Sequence, residues 1–179
     1  MISVNMSQHY SISLILHNVR SAENVGSILR TTDAVGLPDE ALAKAGVDRV
    51  YLCGITPAPV DRFGRPNSKV LKASLGAEKS VAWEERDDVY ELVHELKKEG
   101  REILALEQAP QSINYTEIKV QKNSVLIVGN EVEGIEEALL ALCDTVLEIP
   151  MRGTKESLNV AVATGIALYS LLYSLPTTH

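Results

Sequence analysis

The sequence predicts an α/β fold: a mostly parallel sheet flanked by helices. Three observations carry that prediction. Strand-length apolar runs alternate along the chain with segments of helical period. One run, SVLIVG (124–129), is apolar throughout. An amphipathic segment, DVYELVHELKKEG (88–100), stands between two strand-like stretches and closes on Gly100.

In chain order, SISLILHNV (11–19) reads as the first strand, with two isoleucines and a valine in an apolar run. Arg20, Ser21 and Ala22 lead into a helix in which Val25, Ile28, Leu29, Thr32 and Val35 fall at helical spacing. Gly36 sits where a C′ residue ends it. Asn24 lies in the first turn, and Glu23, Ser27 and Arg30 follow a line apart from the apolar stripe. RVYLCG (49–54) is the second strand. The loop 56–69 holds three prolines and a glycine, and a loop of that length is usually functional or mobile. A short helix within KASLGAEKS (72–80) and a strand around Ser80–Trp83 follow. Helix 88–100 places Val89, Leu92, Val93 and Leu96 on one side, with His94 at the surface. Strands at 102–108 and 124–129 come next, then the turn GNEVEGI (129–135) and a helix over Glu136–Cys143.

The run Val146, Leu147 and Ile149 ends at Pro150, which has no N–H to give a ladder. After a polar loop, Ser157 stands where the N-cap of the last, apolar helix belongs, and Asn159 reads as a polar side chain inside that helix. Such a helix start collects orphan N–H groups and suits an anion or a carboxylate.

With 45% apolar and 23% charged residues in 179, the totals are those of one ordinary globular domain. Cys53 and Cys143 lie far apart and outside any ligand-spaced cluster, so they read as reduced thiols of a cytoplasmic protein. The N-terminus lacks a signal-peptide pattern. Residues 158–175 fall short of the ~20 a membrane span needs, and read as a helix buried in the core or against a partner subunit. The charge is uneven. Residues 84–107 hold nine acids and four bases, and residues 131–148 six acids and no base. Those segments carry −5 and −6, so against a total of −7 the remainder is +4. Within it, DRFGRPNSKVLK (61–72) has four bases to one acid, and Arg20, Arg30, Arg152 and Lys155 are candidates to join them. A basic face of that kind suits a phosphate-rich partner, and scattered solvated charge is the alternative.

Glycines 129 and 134 allow close backbone approach, and Glu131 follows the carboxyl end of a central strand, the usual ligand edge of an open sheet. There is no G-x-G-x-x-G, P-loop, Cys/His metal cluster or nucleophile elbow. The histidines (His9, His17, His94, His179) form no triad pattern. Residue patterns alone reach an α/β fold and no further.

Three stretches nevertheless resemble, in order and spacing, the motifs of the SpoU (TrmH) family of RNA ribose methyltransferases within the SPOUT superfamily. They are NVRSAENVGSILRTTDAVG (18–36), LIVGNEVEGI (126–135) and EIPMRGTKESLNVAVATGIALY (148–169). The resemblance spans essentially the whole chain. It implies a deep C-terminal trefoil knot, an exception to the rule that chains do not thread. It implies a homodimer, and S-adenosylmethionine bound against backbone at Leu106, Gly129, Ile149 and Leu158, with Met151 and Ser157 close by. The chain looks like the bare catalytic domain without a recruiting domain. Hence RNA is the implied partner, tRNA ahead of rRNA, gripped by Arg62, Arg65, Lys69 and Lys72 with Arg20 and Arg152.

For chemistry the family pattern points to Asn24, Arg30, Glu131, Ser157 and Asn159, all present here. The implied reaction is an SN2-like methyl transfer to a ribose 2′-OH, with no metal. Arg30 is the family's proposed base, but a guanidinium has a pKa above ~12 and no acceptor. It can equally bind the neighbouring phosphate and stabilise a developing alkoxide. Glu131 is assigned to ordering the site, Asn24 and Asn159 to orienting the ribose and loops, and Ser157 to substrate phosphate or the helix turn. Two other classes compete: a catalytically idle knotted RNA-binding relative, which would lack a motif residue, and a small-molecule enzyme holding an anion at the last helix.

Overall fold

Strand β1 (Ser11–His17) is buried along nearly its whole length and has a parallel neighbour on each side, so both faces must be apolar. Ile12, Leu14 and Leu16 point into one core and Ile15 into the other. The computed structural model describes residues 10–36, 46–120 and 122–174, so His9 and His179 and the extreme N-terminus lie outside the described residues.

Among the described residues seven strands run in the order β3-β2-β1-β6-β4-β7-β5, and every pairing between them is parallel. They are β1, β2 (Gly46–Cys53), β3 (Trp83–Arg86), β4 (Glu102–Leu106), β5 (Ile113–Asn114), β6 (Ser124–Val128) and β7 (Thr145–Glu148). Helices α1 (Ala22–Val35), α2 (Ser68–Ser74) and α5 (Val160–Ser174) contribute to one core, α3 (Val89–Lys98) and α4 (Glu137–Leu140) to the other. Parallel strands align their carboxyl ends, so the segments after β1, β2, β4, β6 and β7 share one edge.

Several boundaries differ from the sequence reading. Strand β2 begins at Gly46 rather than Arg49, and β3 lies at Trp83–Arg86 rather than Ser80–Trp83. Its start is displaced because Ala77–Lys79 forms a 3₁₀ turn, which Ser80 closes through its N–H to Ala77 O and its hydroxyl to Asp33 Oδ1 at 2.5 Å. The helix sought in 72–80 is α2, which starts earlier because Asn67 Oδ1 accepts from the N–H of Lys69 and Val70. Helix α4 is a single turn, shorter than Glu136–Cys143. Strand β5 has two residues, too few for any period, and is held by β7 and by Tyr115 N–H to Glu148 O at 3.0 Å. No helix among the described residues is long and apolar enough to cross a membrane.

Both cysteines are free, Cys53 buried and Cys143 half-buried. At the amino edge of the sheet, Asp48 accepts from Arg101 Nη2 at 2.6 Å, Ser11 Oγ at 2.7 Å and Ser13 Oγ at 2.5 Å. Burial would push the Asp48 carboxyl up, but Arg101 and the two hydroxyls hold it below its ordinary value.

Candidate active site

The turn after β6 is closed by reciprocal bonds, Asn130 N–H to Gly134 O at 3.1 Å and Gly134 N–H to Asn130 O at 3.0 Å. Asn130 Oδ1 accepts from the N–H of Val132 and Glu133, and its Nδ2 donates to Asn18 O at 3.0 Å. A Cβ on Gly129 would lie 2.5 Å from Gly134 O, so this close approach requires glycine. Gly134 itself sits at φ 69.

The turn aims Glu131 at the start of α1. Its carboxylate accepts from Arg20 N–H at 3.0 Å, Ser21 N–H at 3.0 Å and Asn24 Nδ2 at 2.9 Å. Ser21 caps α1 by accepting from Asn24 N–H. Asn24 Oδ1 in turn accepts from Asn159 Nδ2 at 3.0 Å. Residues more than 100 positions apart are thus joined through one carboxylate and two carboxamides. Burial would push Glu131 up, but Arg20 N–H, Asn24 Nδ2 and Ser21 N–H together hold it below its ordinary value.

Asn159 also corrects the expected helix start. Helix α5 begins at Val160, and Asn159 is its cap: Oδ1 accepts from Ala161 N–H at 2.9 Å and Val162 N–H at 3.4 Å. Ser157 is therefore not the N-cap. It is an exposed loop residue, because Asn159 caps equally well and is fixed from behind by Asn24.

Beside this network a cleft of about 250 Å³ opens between the ends of β4, β6 and β7 and the approach to α5. Leu106, Gly129, Ile149, Met151, Ser157 and Leu158, the six residues assigned to a cofactor, all line it, as does Glu131. Glu107 and Gln108 line it too and were not singled out from sequence. Glu107 accepts from Ile135 N–H at 2.9 Å, and Gln108 Nε2 donates to Glu156 O at 2.6 Å, tying the end of β4 to both neighbouring loops. The signal was available: an acid at the carboxyl end of a strand, the same one that marked Glu131.

The charged residues lining the cleft are all acids: Glu107, Glu131, Glu133 and Glu148. With apolar walls and main-chain groups, that lining suits a cationic ligand such as a sulfonium carrying an amino group. It counts against the anion-holding alternative, all the more because the Ala161 and Val162 N–H groups are already taken by Asn159. Among the described residues no group of three or more His, Cys, Asp or Glu is placed to hold a metal.

Arg30 is exposed on α1, six residues beyond Asn24 and so about 9 Å along the axis. Among the described residues no hydrogen bond joins it to the Glu131 network and it has no ion-pair partner. Arg62 and Arg65 lie on the loop between β2 and α2. Lys69, 3.6 Å from Glu23, and Lys72 lie on α2, which packs on α1. Arg20 and Arg152 are exposed, one beside Glu131 and one on the loop that reaches α5. A second, open groove between α1 and α5 is lined by Asn24, Ser27, Thr31, Asn159, Val162 and Tyr169.

Residues 11–169 match the SpoU rRNA Methylase family. The chain is 33% identical over 156 residues to the tRNA (guanosine(18)-2′-O)-methyltransferase of Aquifex aeolicus strain VF5, an alignment covering 85% of this chain and 64% of that protein. It is 35% identical over 158 residues to the 23S rRNA (guanosine(2553)-2′-O)-methyltransferase RlmP of Bacillus subtilis strain 168, covering 88% and 56%. The AdoMet-bound rRNA methyltransferase from Sinorhizobium meliloti superposes with a TM-score of 0.77 at 27% identity, covering 92% of this chain and 56% of that one. The chain thus spans less than two thirds of the length of each of these relatives. The motif segments that meet at Glu131 and the family match cover the same stretch of sequence, and the chain belongs to the SpoU rRNA Methylase family.

Proposed function

We propose that the chain is a methyltransferase domain that transfers a methyl group from S-adenosylmethionine to a ribose 2′-OH of structured RNA in the cytoplasm. The observation that carries this reading is the hydrogen-bonded chain from Glu131 through Asn24 to Asn159, which brings the three motif segments together beside an acidic cleft. Relatives of comparable identity are named for tRNA in one case and 23S rRNA in the other, so the substrate class is tRNA or rRNA.

Backbone at Leu106, Gly129, Ile149 and Leu158 would hold the adenosyl group, with Met151 and Ser157 beside it and the four glutamates of the lining giving its positive charge a negative surround. When bound, that cofactor would supply an activated methyl whose S–C bond breaks as the O–C bond forms, leaving a thioether, with the hydroxyl proton passing to water or a substrate phosphate. The protein's part is to orient and to stabilise. Asn24 and Asn159 are fixed against each other and can position the ribose, while Glu131 holds the turn that carries Arg20 and Ser21. Arg30, exposed and without an acid partner among the described residues, would take a substrate phosphate and stabilise charge growing on the 2′-oxygen. Arg20, Arg62, Arg65, Lys69, Lys72 and Arg152 would supply further phosphate contacts.

Two further features belong to this reading. Strand β7 lies between β4 and β5, so the chain leaving β4 passes β7 to reach β5 before it returns to β6, which supports threading of the C-terminal segment into a knot. Exposed Val162, Tyr169 and Tyr173 on α5 leave an apolar strip that a second copy would cover, which supports a homodimer.

The test is transfer of labelled methyl from S-adenosylmethionine into separate tRNA and rRNA fractions, with calorimetric titration of S-adenosylhomocysteine alongside. Labelled 2′-O-methylribose in one fraction, together with product binding that survives Arg30→Ala while turnover is lost, is the expected result. Arg30→Lys should keep part of the turnover if the residue supplies charge, and none if it removes the proton. Absence of both product binding and label would end the assignment.

A further inference from the structure

We propose that the loop between β2 and α2 carries a stacking platform for an unpaired RNA base, centred on Phe63. The proposal rests on the RNA-directed reading above and extends it to how the substrate is held. Phe63 is the only phenylalanine of the chain, and it is 65% exposed. A lone exposed apolar side chain is unremarkable by itself. Its mounting is what requires an explanation.

The ring stands on a pinned turn. Asp61 Oδ1 accepts from Phe63 N–H at 2.9 Å and Arg65 N–H at 2.8 Å, and Gly64 N–H donates to Asp61 O at 2.8 Å with Gly64 at φ 76. Asp61 N–H donates to Arg65 O at 2.9 Å, Val60 and Pro66 form an antiparallel bridge, and Asn67 N–H donates to Pro59 O at 2.8 Å. Such a turn could tuck the ring inward. Instead it holds it in water beside two guanidinium groups, with Arg62 Cζ 4.9 Å and Arg65 Cζ 5.4 Å from the ring centroid. Neither arginine has an acid partner among the described residues. An exposed aromatic ring with unpaired guanidiniums packed on it is a combination that holds single-stranded nucleic acid, a base stacking on the ring or on a guanidinium plane and the charges taking its phosphates. The groove that Phe63 lines also holds Pro57, Ala58, Val60 and Pro66 with the acids Asp61 and Glu85, but the groups over the ring itself, and Lys69 and Lys72 on α2, are cationic, which favours a phosphate-bearing partner.

The platform is also in register with the site. Asn18 Oδ1 accepts from Ile55 N–H at 3.1 Å at the loop's start, and Asn18 O accepts from Asn130 Nδ2 in the turn that bears Glu131. A single residue therefore ties the stacking loop and the Glu131 turn to the same edge of the sheet.

The experiment uses the full chain and a hairpin RNA carrying 2-aminopurine as an unpaired loop base, with the same strand annealed to its complement as the paired control. Phe63→Leu should weaken hairpin binding about 5- to 150-fold, the loss expected for one base–aromatic stack. It should abolish quenching of the fluorophore, change duplex binding less than about twofold, and leave the salt dependence unaltered. Phe63→Tyr should restore the quenching. Arg62→Gln with Arg65→Gln should instead flatten the salt dependence for both RNAs. The proposal is overturned if Phe63→Leu matches wild type on the hairpin, if it weakens hairpin and duplex alike, or if wild type fails to hold the hairpin. It is overturned as well if sedimentation shows that Phe63→Leu changes the association state, which would place the ring in a contact between copies. S-adenosylhomocysteine titrated into the same samples reads the cofactor site separately: no binding there would sink the methyltransferase reading and leave the stacking result standing.

Discussion

Replacing Glu131 by Gln tests whether one carboxylate joins the motif segments. Oε1 serves Ser21 N–H and Asn24 Nδ2, and Oε2 serves Arg20 N–H. A glutamine oxygen can keep the first pair, but its amide nitrogen then faces the Arg20 N–H, donor against donor. One charge-assisted bond, worth about 1.5–3 kcal/mol, is lost, and the other two drop from charged to neutral strength. The group is only half-buried, so solvent screening discounts the sum to about 2 kcal/mol. In a chain of this size that lowers the melting temperature by about 4–8 °C.

The pH dependence sharpens the test. The Glu131 carboxyl lies below its ordinary 4.5 in the folded protein because it accepts from these donors. Its contribution is therefore complete above the unfolded value and is lost as pH falls through the lower, folded value. The stability gap between wild type and Glu131→Gln should be constant near neutrality and close in the acid range, below the ordinary carboxyl value. Urea denaturation at a series of pH values measures it. Equal stability of the two proteins at pH 7, or a gap that does not change as the solution is acidified, would refute the bridging role.

Asn159→Asp keeps the cap acceptor but loses the donor to Asn24, so its melting temperature should stay within about 2 °C of that of wild type while methyl transfer falls; Asn159→Ala removes the cap as well and should cost about 1 kcal/mol more, read by calorimetry. Gly129→Ala forces a Cβ to within 2.5 Å of Gly134 O, so the turn must shift at a cost of about 1–3 kcal/mol, and titration should show S-adenosylhomocysteine affinity at least about tenfold weaker. Arg101→Met strands the Asp48 carboxylate beside two serines; the pair is largely buried, and denaturation should reveal a loss of about 3 kcal/mol, partly recovered in Arg101→Met with Asp48→Asn. Burial pushes the Cys53 thiol up to about 12 and that of Cys143 to about 11, so a disulfide reagent at pH 8 should find both slow in the native protein and fast in urea.

The sequence exposed those parts of the site that obey local rules. Strands buried on both faces showed as apolar runs, and α1 and α3 showed their stripes, because three or four residues per element repeat the same signal. The cap of α5 was misplaced because Ser157 and Asn159 are equally good candidates locally, and only a contact from Asn24, 135 positions away, decides between them. Strand β5 was invisible because its two residues pair only after β7 is in place. Glu107 and Gln108 were missed because their value lies in what they tie together, Ile135 N–H and Glu156 O, neither of which a strand pattern reveals. Asn18, at φ 57 directly after β1, carried a fainter clue: a non-glycine residue held left-handed marks a place where the chain is bent for a reason.

The charge asymmetry, ambiguous as a bare total of −7, gains a direction once the fold is known. The acidic stretch 84–107 runs through β3, α3 and β4, and the second, 131–148, through the turn after β6, α4 and β7. The helices in both, α3 and α4, cover one face of the sheet, and the acids nearest its carboxyl edge line the cleft. The lysines of 61–72 lie on α2, beside α1 on the other side, and its arginines on the loop before α2, in a groove that Glu85 also lines. A single edge of the sheet thus offers a negative cleft next to a positive shelf. On the proposed reading those are the two charges the reaction must bring together, a sulfonium and a polyphosphate chain. Each surface attracts one reactant and repels the other, so binding either in the wrong place costs energy before any shape is tested. On the same reading the ribose, which carries neither charge, would lie against Asn24 and Asn159, which line the groove between α1 and α5.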